Sequence, residues 1–470
     1  MLHIRINQDQ TASPLHRQIA DQILFQIEQG EVLPGSRLPA TRDLARELGV
    51  ARGTVVLAYE ELCSMGVCES RVGRGTTVSK GMIRKANAAS SHLLAPQNKT
   101  LITPDEPVNL DPRELSLLPS IADTEHLPIT EMRRAFDRVL RFPGHLRTFS
   151  ESAGDPLLRR LICEKILPER GINVDMSQVM IVPGTQYGSV LIALALAGMR
   201  KRIHFGSPGY LDFARNFARF GFEMVSHPVD QNGIDLSGNH FGQDDVLYIM
   251  PEHHFPQCVS LSDERKAAIE RMAMDDNVLV IEDDYDSEYY YDRRPKPAMK
   301  AGKASHSILY LSTFSKTLFN NLRLGYLVAD ADLIRELATL HWSMSRGTSG
   351  LLQRWVAELI SEGVIDRHVK RMRTVYCRKR DRIAERLHRD FPQWRFDLPK
   401  GGLQFFIDVG NTEQVKEVQS ICADKKLKIA SPSNYVLGPD GENSSFLVLG
   451  FGSVPLPQIL MALSELKSGS

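Results

Sequence analysis

A lysine placed directly after an apolar strand is the first residue in the sequence whose setting indicates chemistry. Residues 307–311 are predicted to form the strand, and a turn with Thr313, Ser315 and Lys316 follows it. Burial at such a strand end lowers the pKa of an amine, and a neutral amine can attack an aldehyde. The two hydroxyls and Arg323, seven residues on, are groups that hold a phosphate. An aldehyde and a phosphate on one ligand indicate pyridoxal 5'-phosphate (PLP), and the alternative is a surface lysine after a buried strand.

Two earlier predicted strands also end in residues that suit this ligand. Strand 179–182 leads through a glycine turn into Thr185 and Gln186 at the start of a helix. The free N–H groups and the dipole of a helix start favour a phosphate. Strand 203–205 precedes Tyr210, an aromatic residue that can stack on a ring. Each signal is weak by itself, since many strand–helix turns have this composition.

An acidic stretch, Glu282 to Asp286, follows the predicted strand 278–281 and contains Asp283 and Tyr285. One carboxylate there could keep a pyridine nitrogen protonated, which makes the ring an electron sink. The tyrosine could donate a hydrogen bond to the ring's phenolic oxygen. A Mg²⁺ site is the alternative, but no nucleotide-binding loop of the P-loop type accompanies it. The ordered set of residues at strand ends favours PLP over a surface lysine.

The first 80 residues carry the pattern of a small DNA-binding domain. Apolar residues at helical spacing predict helices over residues 14–29, 42–48 and 51–65, and alternation predicts a hairpin over 67–78. Three helices and a hairpin form a winged helix-turn-helix, in which the start of the third helix enters the major groove of DNA. The alternative is a solvated helical surface.

The position of the arginines, not the total charge, indicates DNA contacts. The first 80 residues hold as many acidic as basic residues. Arginine side chains can bind phosphates or guanine edges. The candidate DNA-binding residues at the helix starts and around the wing are Arg42, Arg52, Gly53, Thr54, Arg71 and Arg74; the family resemblance described below adds Arg37 and the wing residue Gly75.

Length and composition predict a cytoplasmic protein of two or three domains. The chain has 470 residues, 42% of them hydrophobic and 24% charged, with 57 basic and 57 acidic side chains. A net charge of zero predicts no partner by itself. The six cysteines are scattered, which fits reduced thiols and not a disulfide framework or a zinc site. We expect no metal and no membrane contact.

The sequence predicts two domains joined by a linker. Residues 1–79 form the winged helix-turn-helix, and residues 80–107, rich in Ala, Ser, Asn, Pro and Lys, form the linker. From residue 108 to 470, short apolar strands alternate with helices, which predicts an α/β domain with a mostly parallel sheet and a C-terminal lobe over about 348–470. Ligands of such sheets bind at the carboxyl ends of the strands.

Two groups of motifs resemble known families. Residues 35–45, 50–55 and 58–62 resemble the GntR-type winged helix, which implies that Arg37 or Arg42, with Arg52 and Thr54, contacts operator DNA. Residues 282–288 and 313–326 resemble fold-type I aminotransferases. Joined to a GntR-type domain, the second group is similar to the MocR subfamily of transcriptional regulators.

The resemblance implies roles for the residues at the strand ends. Lys316 would form the internal aldimine with PLP, Asp283 would pair with the pyridine nitrogen, and Tyr285 would reach the ring hydroxyl. Tyr210 would stack on the ring, and His253, in the stretch 251–256, would lie near it. The residues implied around the phosphate are Thr185, Gln186, Thr313, Ser315 and Arg323.

The sequence departs from the family pattern at two places. Asn434 stands where family members often carry an arginine that grips the carboxylate of an amino-acid ligand. Asn320 and Asn321 replace a Pro-Gly pair near the lysine. We therefore expect an effector that is an amine or an unusual amino compound, unless another cation, Arg346 or Arg215, binds a carboxylate.

The predicted function is a PLP-dependent transcriptional regulator that binds operator DNA as a homodimer. It would sense an amine or amino compound by forming an external aldimine, and its aminotransferase-like domain would serve sensing, not turnover. One alternative is a functional aminotransferase with an appended DNA-binding domain. Another is a DNA-binding protein whose aminotransferase-like body only dimerises.

Overall fold

The computed structural model describes residues 4, 14–28, 32, 35–71, 75–79, 115–142, 144 and 151–469. The chain divides into two compact units, residues 1–101 and 102–470. The predicted linker, residues 80–107, lies outside the described residues, so its boundaries remain a prediction.

The first unit is a winged helix-turn-helix, as the helical spacing predicts. Its elements are α1 (Leu15–Glu28), α2 (Thr41–Leu48), α3 (Arg52–Ser64), β1 (Cys68–Arg71) and β2 (Gly75–Val78), and the two strands pair antiparallel. Apolar side chains from all three helices form one core. Its fully buried members include Ile19, Leu44, Val55 and Leu62. This core shows that the three helices pack together as one unit.

The second unit contains the remaining elements. Its strands are β3 (Leu115–Ser116), β4 (Val179–Val182), β5 (Arg202–Ser207), β6 (Glu223–Asp230), β7 (Gly233–Ile234), β8 (Asp245–Ile249), β9 (Leu279–Asp284), β10 (Ile308–Thr313), β11 (Gly325–Val328), β12 (Gln404–Asp408), β13 (Leu427–Lys428) and β14 (Phe446–Gly450). Its helices are α4 (Ile129–Arg141), α5 (Pro156–Leu161), α6 (Thr185–Leu196), α7 (Leu211–Ala218), α8 (Asp263–Asp275), α9 (Ala331–Ser345), α10 (Gly350–Ser361), α11 (Val364–Asp390), α12 (Thr412–Asp424), α13 (Pro439–Glu442) and α14 (Leu456–Gly469).

An eight-stranded sheet organises this unit, in the order β4-β11-β10-β9-β8-β5-β6-β7. The run β10-β9-β8-β5-β6 is parallel, whereas β11 is antiparallel to both neighbours. Alternate residues of one strand enter different cores: Val179 and Ile181 pack in one, Met180 and Val182 in the other. The sheet is therefore covered on both faces at β4, which explains why this strand is continuously apolar.

Strand β9 is longer than predicted. The pattern predicts a strand that ends at Ile281, but the ladder continues through Asp284. The acidic residues therefore alternate between the two faces of the sheet. Glu282 accepts hydrogen bonds from the N–H groups of Met299 and Lys300, at 2.9 and 2.8 Å, and so has a structural role.

The residues from Leu115 to Asp123, here named the leading segment, contact the C-terminal lobe at both ends. Its strand β3 pairs in parallel with β13. At its other end, Asp123 accepts a hydrogen bond from buried Lys379 of α11 at 3.1 Å, and the hydroxyl of Tyr376 accepts one from the N–H of Asp123 at 2.9 Å. The segment thus has a fixed path across the fold.

All six cysteines are free thiols. No helix in the described part of the chain has the length and apolar character that a membrane crossing requires.

Candidate functional site

A cavity of about 210 Å³ lies at the carboxyl ends of the parallel strands. It receives residues from the loops that follow β4, β5, β8, β9 and β10, which meet at one edge of the sheet. Its lining residues are Ser120, Thr185, Tyr210, Met250, Phe255, Asp283, Tyr285, Thr313, Ser315, Lys316, Asn320 and Arg323. Seven of the predicted PLP residues and the predicted lysine are therefore brought together.

Lys316 is the amine of this cavity. Burial lowers the pKa of its side chain to about 8, while the carboxylates of Asp286 and Asp283 act in the opposite direction. Its Nζ donates a hydrogen bond to the carbonyl oxygen of Ser120. Its own carbonyl accepts one from Tyr289 at 3.0 Å, which fixes the turn. A surface lysine, the alternative left open by the sequence, does not describe this residue.

Asp283 presents one free carboxylate oxygen to the cavity. Its Oδ2 accepts a hydrogen bond from the hydroxyl of Tyr248 at 2.8 Å. Its Oδ1 is buried with no partner in the described part of the chain. Burial raises the pKa of Asp283 to about 7. A buried, half-satisfied carboxylate is costly, so a ligand that donates a hydrogen bond to Oδ1 would be stabilised.

Three aromatic residues shape the cavity beside this carboxylate. The hydroxyl of Tyr285 is buried and makes no hydrogen bond of good geometry with any described residue. Tyr210 packs edge-on against Phe255, with ring centroids 6.0 Å apart, and Phe255 packs edge-on against Tyr285 at 6.2 Å. The side chain of Gln186 donates a hydrogen bond to the Tyr210 hydroxyl. A flat ring would find aromatic walls and one open phenolic donor here.

The opposite end of the cavity is built for an anion. Helix α6 begins at Thr185, and its first N–H groups have no partner inside the helix. The hydroxyl of Thr313 accepts a hydrogen bond from the N–H of Ser315 at 3.1 Å, which shapes the turn before Lys316. Arg323 sits at φ +49° and points its guanidinium at Gly184, where an added Cβ would lie 3.1 Å from Arg323 Cζ. Hydroxyls, helix amides and an arginine are the groups that bind a phosphate.

The burial and the hydrogen bonds of the lining residues show that the cavity fits PLP. Lys316 is a half-buried amine that lines the cavity, Asp283 Oδ1 is buried without a partner in the described chain, and Arg323 lies at the anion end. The Tyr285 hydroxyl is buried and makes no hydrogen bond of good geometry with any described residue. The unpartnered atoms match the polar positions of a pyridine ring that carries a hydroxyl group.

Three predicted residues do not line the cavity. Gln186 supports Tyr210, as described above. His253 is buried and its Nδ1 lies 2.8 Å from Asp286 Oδ1. Burial opposes a charge on His253, but the Asp286 carboxylate outweighs it and the pKa of the imidazole is raised. Asn434 ends a short turn over residues 432–434, and the next residue, Tyr435, is the one that packs on Phe255, at 5.4 Å.

Four lining residues were missed by the sequence analysis: Ser120, Met250, Phe255 and Asn320. Asn320 was noted as a departure from the family pattern but was given no role. Ser120 belongs to the leading segment, nearly two hundred positions before the lysine, and no local pattern connects the two. Phe255 lies in the stretch 251–256, in which the family resemblance points only to the histidine.

The candidate DNA-binding residues lie in the first unit. Arg42, Arg52 and Gly53 are exposed, and Arg52 Nε donates to the Thr41 hydroxyl at 3.3 Å, so it joins the starts of α2 and α3. Arg37 is bridged to Thr77 of the wing. Gly75, at φ +80°, lies against Arg37: a Cβ there would be 2.8 Å from Nε. Thr54 is half-buried, whereas Arg74 and the side chain of Arg71 lie outside the described residues.

Comparison with protein families defines the class of protein first. Residues 15–78 match the family described as bacterial regulatory proteins, gntR family, and residues 120–437 match aminotransferase class I and II. The fold and the two matches together define a DNA-binding domain joined to an aminotransferase-like domain. The chain belongs to the aminotransferase class I and II family and, with its gntR-family domain, to the MocR type of GntR regulators.

Curated relatives with the same arrangement are helix-turn-helix (HTH) transcriptional regulators. The HTH-type pyridoxine biosynthesis transcriptional regulator PdxR of Corynebacterium glutamicum is 29% identical over 473 residues, covering 99% of this chain and 98% of the relative. The probable rhizopine catabolism regulatory protein MocR of Rhizobium meliloti is 28% identical and covers 83% of this chain and 81% of its own length. The HTH-type transcriptional regulator TauR of Rhodobacter capsulatus is 29% identical, with 94% and 93% covered.

Solved aminotransferases share the fold of the second unit. The alpha-aminoadipate aminotransferase LysN of Thermus thermophilus superposes with a TM-score of 0.69 at 22% identity, covering 76% of this chain and 92% of that one. The kynurenine aminotransferase of Pyrococcus horikoshii gives a TM-score of 0.68 at 20% identity, covering 76% and 90%. These likenesses establish the α/β fold with its mostly parallel sheet.

Proposed function

We propose that this protein is a transcriptional regulator that binds PLP through Lys316 and responds to an amine by changing its affinity for operator DNA. The observation that carries the proposal is the cavity in which a buried lysine faces an unpartnered aspartate oxygen and a phosphate-type anion site, in a chain that also has a gntR-family domain.

The lining residues indicate where each part of the cofactor would bind in the cavity. Asp283 Oδ1 would accept a hydrogen bond from a protonated ring nitrogen, and the Tyr285 hydroxyl would donate to the phenolic oxygen. The anion end, with Thr185, Ser315 and Arg323, would hold the phosphate. When bound, PLP supplies an aldehyde that reacts reversibly with primary amines.

The electrostatics favour an effector without a carboxylate. Arg323 and Lys316 are the only cationic side chains that line the cavity within the described residues, and both are assigned to PLP. Of the two other candidates, Arg215 forms an ion pair with Asp212 at 3.0 Å, and the guanidinium of Arg346 lies 5.8 Å from the Trp342 ring centroid. Neither lines the cavity, and Asn434 carries no charge. An amine therefore suits the site better than an α-amino acid.

Signal transfer would follow from differential binding. An effector that binds one arrangement of the lobe over about 348–470 better than another shifts the population toward it. The linker over 80–107 would carry the change to the winged helices. A homodimer, the assembly that the aminotransferase-like fold suggests, would read two half-sites spaced by its geometry.

A functional aminotransferase with an appended DNA-binding domain is the second candidate. It is favoured by Lys316 itself, because a released buried amine with a pKa of about 8 is suited to accept a proton near neutral pH. Steady conversion of an amino donor without any effect on DNA binding would support this alternative.

The test is a titration of the purified full-length protein with candidate amines, followed by visible absorbance and by DNA binding at fixed salt. We expect an amine to change the absorbance and the DNA affinity at the same concentration. In Lys316→Ala both responses should be lost. Lys300→Met is the matched control, because Lys300 is also a buried lysine whose pKa burial lowers to about 8, yet it donates to the carbonyls of Ser305 and Ile308, away from the cavity.

Two results would contradict the proposal. Absence of any visible absorption after incubation with PLP would leave a DNA-binding protein whose second unit only dimerises. An unchanged DNA response in Lys316→Ala would show that the lysine has no part in sensing.

A further inference from the structure

We propose that the effector carries, besides its primary amine, a neutral hydrogen-bond donor such as a hydroxyl group, and that the Ser120 carbonyl, which Asn320 holds in place, accepts a hydrogen bond from it. The chemical class is thus an amino alcohol rather than an amino acid or a diamine. This inference rests on the proposed function, because it concerns the part of the cavity that PLP would leave for the effector.

The residues left over after the cofactor is assigned define that part. Eight of the twelve lining residues serve the ring, the phosphate or the covalent bond. The remaining four are Ser120, Met250, Phe255 and Asn320. Two of these are apolar and two are neutral and polar, so this part of the cavity offers no ionised side chain of the described chain.

The carbonyl oxygen of Ser120 is the acceptor in this region. Ser120 lies in the left-handed region at φ +58°, which is unusual for a residue other than glycine and aims its carbonyl at the lysine. The oxygen accepts hydrogen bonds from Lys316 Nζ and, at 3.3 Å, from Asn320 Nδ2. Once Lys316 is committed to the cofactor, the carbonyl retains only the longer of these two bonds and can accept a donor from a ligand.

The Ser120 hydroxyl and the Asn320 amide are held in place by their own partners. The hydroxyl donates to Gln404 Oε1 at 3.3 Å, and Gln404 Nε2 donates to Cys258 Sγ at 3.1 Å. Asn320 Oδ1 accepts from the N–H of Ala122 at 3.3 Å, which turns its Nδ2 toward Ser120. Asn320 therefore holds the leading segment by hydrogen bonds on both sides of Ile121. The Ser120 carbonyl is the group that can still accept a hydrogen bond from a ligand.

A charged group at the far end of the effector would be penalised here. A carboxylate would face a carbonyl oxygen, and no cation remains for it among the lining residues. A second ammonium would have Asp283 as its only lining carboxylate, and that residue is assigned to the ring nitrogen. Burying an unpaired charge costs far more than burying a hydroxyl that finds an acceptor. Met250 and Phe255, both buried, cover the apolar part of the ligand.

The experiment titrates the PLP-loaded full-length protein with four ligands of matched size: propylamine, 3-aminopropan-1-ol, 1,3-diaminopropane and β-alanine. Dissociation constants are measured by calorimetry and checked by absorbance. We expect the amino alcohol to bind about fivefold tighter than propylamine and at least about tenfold tighter than β-alanine or the diamine, as one satisfied hydrogen bond against an unpaired charge predicts.

Substitutions test which residues cause the preference for the amino alcohol over propylamine. In Asn320→Ala the amino alcohol should exceed propylamine by less than about twofold. Asn321→Ala is the matched control, since Asn321 is the exposed neighbour and should keep the full preference. Ser120→Gly retains the carbonyl and should also keep it.

The outcomes separate this inference from the proposed function. If no amine changes heat or absorbance, the proposed amine response itself fails, and this inference with it. If amines bind but β-alanine or the diamine equals the amino alcohol, the effector class is wrong. If Asn320→Ala keeps the full preference, or Ser120→Gly loses it, the assignment to the Ser120 carbonyl and Asn320 is wrong.

Discussion

Two lysines with lowered pKa values show why a lowered pKa does not by itself define a reactive residue. Burial lowers the pKa of both Lys300 and Lys316 to about 8. Lys300 donates to two backbone carbonyls, at 2.6 and 2.7 Å, and is thereby satisfied inside the fold. Lys316 opens into a cavity whose other walls carry polar atoms without a partner in the described chain. The location of the amine, and not its acidity, distinguishes the two.

The pKa of Lys316 has a measurable consequence for cofactor uptake. Only the neutral amine attacks an aldehyde, so the rate at which the apo protein takes up PLP should rise about tenfold per pH unit below pH 8 and level off above it. A lysine at its ordinary value of 10.5 would give a rate that still rises beyond pH 10. Stopped-flow absorbance over this pH range measures the profile, with N-acetyl-lysine methylamide as the solution reference. A plateau only above pH 10 would contradict the assigned burial.

The local sequence was sufficient to predict the cavity residues that lie at the ends of strands. Asp283 lies near the end of β9, and Tyr285 and Lys316 come shortly after β9 and β10. Parallel strands bring their carboxyl ends together. Ser120 and Asn320 could not be paired in this way, because their contact joins segments 200 positions apart and depends on a left-handed residue. His253 was placed near the ring from its motif, whereas its contact with Asp286 depends on side-chain packing that the motif does not contain.

At the scale of elements, the anion end of the cavity depends on the backbone conformations of two residues that contact each other, Gly184 and Arg323. Helix α6 starts after Gly184 at φ +83°, and the turn between β10 and β11 places Arg323 at φ +49°. The guanidinium occupies the space that a Cβ on Gly184 would need, at 3.1 Å. Glycine is therefore required at this helix start for two reasons, backbone conformation and close approach.

Gly184→Ala should weaken PLP binding by about tenfold, because the arginine must move and the turn is strained. Gly198→Ala is the matched control: Gly198 has nearly the same φ, +80°, but nothing within 4 Å of an added Cβ. Both variants should lose stability of the order of 1–3 kcal/mol, because each places a Cβ on a residue with positive φ. Fluorescence titration with PLP and thermal unfolding separate the two effects. Equal PLP affinities in the two variants would show that Arg323 does not hold the phosphate.

At the scale of the whole molecule, the gntR-family domain and the cavity belong to two compact units. The first has its own core of fourteen buried apolar residues, drawn from its three helices, its hairpin and the residues beside them. The cavity is lined by residues of the second unit alone. The spacing of apolar residues predicted both units, since each pattern is local. The order of the strands in the sheet, with antiparallel β11 between β4 and β10, was not predicted, because strand order depends on long-range packing.

Because each unit has its own core, we expect a substitution in one unit to impair only the function of that unit. Arg52 is exposed at the start of α3, where a winged helix meets the major groove, and its Nε is anchored by Thr41 at 3.3 Å. Arg52→Ala should reduce operator affinity by about tenfold or more and lower the salt dependence by about one ion, while PLP absorbance stays unchanged.

Arg382→Ala removes the same charge from the exposed side of α11 in the second unit, where Arg382 pairs with Glu385 at 2.9 Å, and should leave operator affinity nearly unaltered. Fluorescence anisotropy with operator DNA at two salt concentrations, read beside the absorbance, measures all of these. Loss of PLP absorbance in Arg52→Ala would mean that the two units do not fold as independent bodies, because no residue of the first unit lines the cavity in the described chain.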